Sequence, residues 1–139
     1  MNHPTQNYKD LIVWQKAIEL AKSVYRLTQA FPREEKFGLT SQMRRAVVSI
    51  PSNIAEGQAR RTTPEFIQFI AHAEGSAAEL DTQIILSVEL GFCDKKTALP
   101  IYELLDEVRR MLNALRRKLA DRSSSSLVTG HWSLVPCHF

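Results

Sequence analysis

Arginine comes in pairs in this sequence: Arg44-Arg45, Arg60-Arg61, Arg109-Arg110 and Arg116-Arg117, the last followed by Lys118. A guanidinium holds its charge at any working pH and presents a planar fork of donors suited to phosphate oxygens, so these pairs are candidate contacts to a nucleic-acid backbone, RNA or DNA. The two pairs nearer the C-terminus lie seven residues apart. On a helix that spacing lines Arg109 up with Arg116 and Arg110 with Arg117, giving two parallel rows. A solvated helix exterior would carry the same pattern, and Asp106 stands where it would pair with Arg109 or Arg110. No aromatic residue interleaves the arginines along the chain, which argues against base-specific reading.

Other chemistries find little support. A di-iron centre in a helical protein needs paired Glu-x-x-His motifs, but the residue three before His72 is Phe69. His131, Cys137 and His138 are potential soft-metal ligands near the C-terminus, without a fourth ligand or finger spacing. None of the five glycines falls in a phosphate-cradling pattern, and a single internal histidine, His72, leaves no nucleophile and base pair to argue for. The expectation is a protein that is not an enzyme and uses neither cofactor nor metal.

The elements that carry the arginines read as four helices. The first spans about residues 10–30, with Trp14, Ala17, Ile18, Ala21, Val24, Tyr25 and Thr28 on one face, Val13, Leu20, Leu27 and Phe31 beside them, and Phe31-Pro32 as its end. The second spans about 37–59, where Leu39, Met43, Ala46, Val47, Ile50 and Ile54 recur at three- and four-residue steps. It contains Pro51, which cannot donate a backbone hydrogen bond and crowds the Val47 carbonyl, so a kink is expected there. The third opens at Thr62-Thr63-Pro64-Glu65, with capping-box spacing and a proline in the first turn, and closes at Gly91. The fourth follows residues 94–97 and carries Ile101, Leu104, Leu105, Val108, Met111, Leu112, Leu115 and Leu119. Lengths of roughly 20 to 28 residues, about 30 to 40 Å, joined by short connections predict an all-α, antiparallel up-down-up-down four-helix bundle. Residues 1–9 read as an N-terminal extension, 10–122 as the bundle and 123–139 as a Ser-rich tail, mobile unless Trp132 or Phe139 docks.

Composition is ordinary for one globular domain: 139 residues, 44% hydrophobic and 24% charged, with a net charge of +3. No secretory signal or membrane-length apolar run is visible, and two cysteines, Cys93 and Cys137, suit a reducing cytoplasm. Charge is nevertheless segregated. Residues 62–93 hold Glu65, Glu74, Glu79, Asp81 and Glu89 and no Lys or Arg, while 33–61 hold six basic residues against three acidic and 103–122 six against four. That division serves either ion pairing within one bundle or a basic face turned to a partner.

Helices two and three are apolar on a second face as well. Val48 and Ala55 lie off the main stripe of helix two, and Ile67, Ala71, Ala78 and Ile85 flank the Phe66, Phe69, Ala73, Ala77, Leu80 and Ile84 stripe of helix three. Contiguous apolar surface left over from a core points to an interface, so a homo-oligomer is expected. The small residues Gly75, Ser76, Ala77 and Ala78 would let another backbone approach closely.

The segments YKDLIVWQKAIELAKSVY, FGLTSQMRRAVVSIPSNIAEGQAR and EFIQFIAHAEGSAAELDTQI resemble the four-helix-bundle proteins named for open reading frames within 23S rRNA intervening sequences. The resemblance covers about four fifths of the chain and rests above all on RRA-x-x-SIPSNIAEG and GS-x-x-E. It implies an antiparallel bundle assembled into a ring, commonly a pentamer. Related accessory proteins of diversity-generating retroelements engage nucleic acid and a reverse transcriptase through basic surfaces, so a nucleoprotein partner is implied too. The motif positions are Arg44, Arg45, Ser49, Pro51, Asn53, Glu56, Gly57, Arg60, Gly75, Ser76 and Glu79. Most are expected to hold the fold or the ring, with Asn53 placed to satisfy the carbonyl that Pro51 leaves free and Glu79 to meet an arginine of helix two or of a neighbouring subunit.

Overall fold

The computed structural model describes residues 7–133, with side chains as far as Ser125; among them are four long helices and no strand. A 3-10 turn, Tyr8–Asp10, leads into α1, Ile12–Gln29. A second such turn, Arg33–Glu35, precedes α2, Leu39–Gln58; α3 spans Thr63–Glu89 and α4 spans Lys95–Ser133.

The start of α3 carries the expected cap, and the start of α4 carries one as well. Thr62 Oγ1 accepts from the Glu65 backbone N–H at 3.4 Å, and Asp94 Oδ1 accepts from that of Thr97 at 2.7 Å, so α3 and α4 each begin with a side-chain cap. Hydrogen bonding from Thr97, from its side chain first and then from its backbone N–H, favours the charged form of Asp94 and lowers its carboxyl below the ordinary value. At the other end of α3, Gly91 takes a φ of 76°, the left-handed conformation that glycine adopts without a Cβ penalty. Helix four does not stop at Arg122. It continues through Ser133, so the start of the Ser-rich segment extends α4, while residues 134–139 lie outside the described residues. Runs of serine are tolerated where a helix is already propagating from a packed stretch.

Each helix packs on two neighbours: α1 on α2 and α4, and α3 on α2 and α4. The core is built from Leu20 and Val24 of α1, Met43, Val47, Ile50 and Ile54 of α2, Ile70, Leu80 and Ile84 of α3, and Leu105, Val108 and Leu112 of α4. All six apolar positions predicted for α2 are buried. On α1 the buried stripe runs through Val13, Ala17, Leu20, Val24 and Leu27; Trp14, Ile18 and Ala21 are half-buried and Tyr25 is exposed. The predicted α1 face is thus rotated, because a helix apolar over a wide arc can present either edge and its partners decide. On α3, Ile70 joins Ala73, Ala77, Leu80 and Ile84 in the core, while Phe66 and Phe69 are half-buried.

Contacts between α2 and α3 climb one helix as they descend the other. Ser87 Oγ lies 3.4 Å from Met43 Sδ, Ser49 Oγ is hydrogen-bonded to Ser76 Oγ, and Gly57 abuts Phe66 and Phe69. The close approach is at Gly57, where an added Cβ would stand 2.7 Å from Phe69 Cβ. The same construction at Gly75 meets nothing within 4 Å, so Gly75, expected to admit another backbone, faces open space within this chain.

Candidate nucleic-acid interface

Pro51 is buried within α2, which continues as a helix on both sides of it. The Asn53 amide does not turn to the Val47 carbonyl. It donates to the Ser49 carbonyl at 2.8 Å and to Ser49 Oγ at 3.2 Å, and Ser49 in turn meets Ser76 on α3. Ser49, Asn53 and Ser76 therefore form one hydrogen-bonded link between α2 and α3, and the smallness of the two serines is what lets the helices close on it.

Just above this link opens a groove of about 1090 Å³. Arg44, Arg45, Val48 and Ser49 of α2 line it, with Lys36 and Phe37 from the preceding turn, Tyr25 from α1, and Ser76 and Glu79 from α3. Five of the motif positions meet there. Arg44 is fixed by α1: its Nε donates to Thr28 Oγ1 at 2.9 Å, and its guanidinium carbon sits 4.6 Å from the centroid of the Tyr25 ring. Arg45 is exposed, with no ion pair within 4.0 Å among the described residues. Glu79 shares the groove but accepts from Gln83 Nε2 at 3.2 Å, so the expected ion pair with an arginine of α2 is not formed within the chain.

The arginine rows of α4 divide. Arg109 Nη1 reaches Asp81 Oδ2 at 3.4 Å, and Arg116 Nε reaches Glu74 Oε1 at 2.6 Å, so this row is tied to the acidic α3. Arg110 pairs with Asp106 one turn earlier at 3.3 Å, on an exposed face. Arg61, Arg117 and Lys118 are exposed and make no ion pair within 4.0 Å among the described residues, whereas Arg60 lies over the Phe69 ring at 4.6 Å. Sequence spacing could line the arginines up. It could not tell which row faced α3, because that depends on the rotation of α4 about its axis.

The remaining expected positions scatter. Glu56 is exposed. Val48 and Ile85 are 42% and 48% exposed, and Ala71 and Ala78 also face solvent. Ala55 is half-buried, and Ile67 is half-buried and packs against the core. The aromatic component was missed. Tyr25 precedes Arg44 by 19 residues and Phe37 by seven, and both face the same groove as Arg44 and Arg45. The legible signal was Phe37, a large apolar residue just outside the helical repeat.

Perturbed titrations lie away from the groove. Burial, then the charge of Asp94, pushes the Cys93 thiol up, and burial is the main reason the Tyr102 phenol is raised. Among the residues whose side chains are described, no group of three or more His, Cys, Asp or Glu is placed to hold a metal ion; His131, Cys137 and His138 lie outside them. No described helix is long and apolar enough to cross a membrane.

A family model described as 23S rRNA-intervening sequence protein matches residues 9–114. No curated protein matches the chain. Among solved structures, the fold is similar to that of a protein of unknown function from the S23 ribosomal protein family of Bacteroides thetaiotaomicron VPI-5482. The TM-score is 0.69 at 20% sequence identity, covering 76% of this chain and 98% of the other.

Proposed function

This chain belongs to the 23S rRNA-intervening sequence protein family, and we propose that it is a non-enzymatic, oligomeric four-helix-bundle adaptor that engages nucleic acid, alone or in a ribonucleoprotein, by its phosphates. The observation that carries this reading is that Arg45, Arg61, Arg117 and Lys118, from the arginine pairs, are exposed and have no carboxylate partner among the described residues. Guanidinium and ammonium groups left unpaired at a surface attract polyanions, and the attraction is sequence-tolerant because phosphates carry no base identity.

The proposal includes assembly in the cytoplasm into a ring, with five copies expected, each an up-down-up-down bundle with α2 bent at Pro51. Opposed contact order between α2 and α3 supports that course, and the exposed apolar side chains Val48, Ile85, Leu86 and Leu90 supply surface for neighbours. A ring repeats each weak cationic patch and strengthens it by avidity.

One observation favours a second reading, a protein-binding scaffold with no nucleic-acid ligand: Arg109 and Arg116 are already held by Asp81 and Glu74. Two measurements are needed, the first for assembly and the second to separate the two readings. Light scattering coupled to size exclusion should give a discrete oligomer, which Val48→Glu or Ala78→Glu weakens. Binding to labelled RNA or DNA should then fall with salt at a logarithmic slope of about 0.7 to 0.9 per phosphate contacted. A monomer at micromolar concentration removes the ring, and absence of binding near 50 mM salt leaves the scaffold.

A further inference from the structure

Phe37 stands 89% exposed at the turn into α2, and Tyr25, 41% exposed, faces the same groove from α1. An aromatic ring left in water forgoes the transfer energy that burial would return, so two rings on one groove favour a flat apolar occupant. Each ring has its own cation. The Lys36 ammonium lies 5.6 Å from the Phe37 centroid, and the Arg44 guanidinium carbon 4.6 Å from that of Tyr25. Arg45 adds a third positive charge, with Glu79 the one carboxylate on the groove wall.

We infer that this groove holds a single-stranded nucleic acid, its bases stacked on Phe37 and Tyr25 and its phosphates on Lys36, Arg44 and Arg45; the inference rests on the nucleic-acid reading above. A strand carries an anionic phosphate beside each flat base, and in the groove each ring has a cation within 6 Å, so a base on the open side of a ring would bring its phosphate near a positive charge. A duplex keeps its base faces inside its own stack and would meet the cations alone. The acidic α3 of a second copy fits less well, because Glu74 and Asp81 already hold Arg116 and Arg109. An acidic peptide offers charge but no row of flat faces.

The test is fluorescence anisotropy of the full chain with labelled oligo-dT and oligo-U strands about 20 nucleotides long, beside a duplex of equal length. Strands should bind more tightly than duplex. Phe37→Ala should weaken strand binding about fivefold or more with an unchanged salt slope and melting temperature, and Phe37→Tyr should restore it. Arg45→Glu should lower the salt slope by about 0.7. Strand binding that survives Phe37→Ala and Arg45→Glu but is lost on Arg117→Glu would place the strand along α4, overturning the inference and sparing the broader reading. Absence of binding to strand and duplex alike would overturn both. Displacement by polyglutamate as effective as by unlabelled strand, or loss of the oligomer in Phe37→Ala, would show instead a general anion surface or a subunit contact.

Discussion

Arg116 of α4 donates to Glu74 of α3 at 2.6 Å while a second donor of the same guanidinium reaches Asn113 Oδ1 at 2.8 Å, so this arginine is a tie between helices. Its sequence neighbour Arg117 is exposed and makes no ion pair among the described residues. Two adjacent arginines thus carry different duties, one step of helix rotation apart.

Removing the tie should therefore cost stability, and removing the neighbour should not. The Arg116–Glu74 pair is partly exposed, with side chains 38% and 28% accessible, so its contribution is screened. Arg116→Ala should destabilise by about 1 kcal/mol and Arg117→Ala by less than about 0.5 kcal/mol in urea titrations. Equal losses would show that α4 is rotated from the position described.

Gly57 and Gly75 should respond to alanine in opposite directions. At Gly57 the new Cβ meets Phe69 Cβ at 2.7 Å and Phe66 Cδ2 at 2.8 Å, and a Cβ cannot swing away as a side-chain tip can. Gly57→Ala should cost about 1 to 3 kcal/mol by overpacking, despite the better helix propensity of alanine. Gly75 sits mid-helix with open space around it, so Gly75→Ala should add about 0.5 to 1 kcal/mol. Thermal melts of both variants check the pair, and a Gly75→Ala loss accompanied by weaker assembly would mark an intersubunit contact.

Leu112 is fully buried on α4. Its truncation to alanine should cost about 2 to 5 kcal/mol, from lost transfer energy and the cavity left behind, read by chemical denaturation.

Acid should loosen the start of α4. Because hydrogen bonds from the Thr97 side chain and backbone hold the Asp94 carboxyl below its ordinary value, its stabilising contribution is present above the unfolded value of about 4 and is lost as pH falls through the folded one. Asp94→Asn keeps a capping oxygen without a titrating charge, so the difference in melting temperature between the two proteins should shift below about pH 4. A difference that stays constant across that range would assign the cap no titrating role.

What the sequence determined by itself was periodic or local. Four helices, the Thr62 cap, the Gly91 terminus and the α2 core from Leu39 to Ile54 follow from residue spacing and backbone chemistry, which need no knowledge of neighbours. The continuation of α4 beyond Arg122 escaped that reading because composition changes there while the helix does not. Tertiary structure decided whatever depends on how one helix is turned against another. It set α1 on its Val13 to Leu27 edge, put Gly57 at the close approach in place of Gly75, and gave Arg109 and Arg116 to the acids of α3. The groove is the clearest case: Tyr25, Phe37, Arg45 and Ser76 come from separate segments, and a pattern along the chain records distance in residues while recognition depends on distance in space.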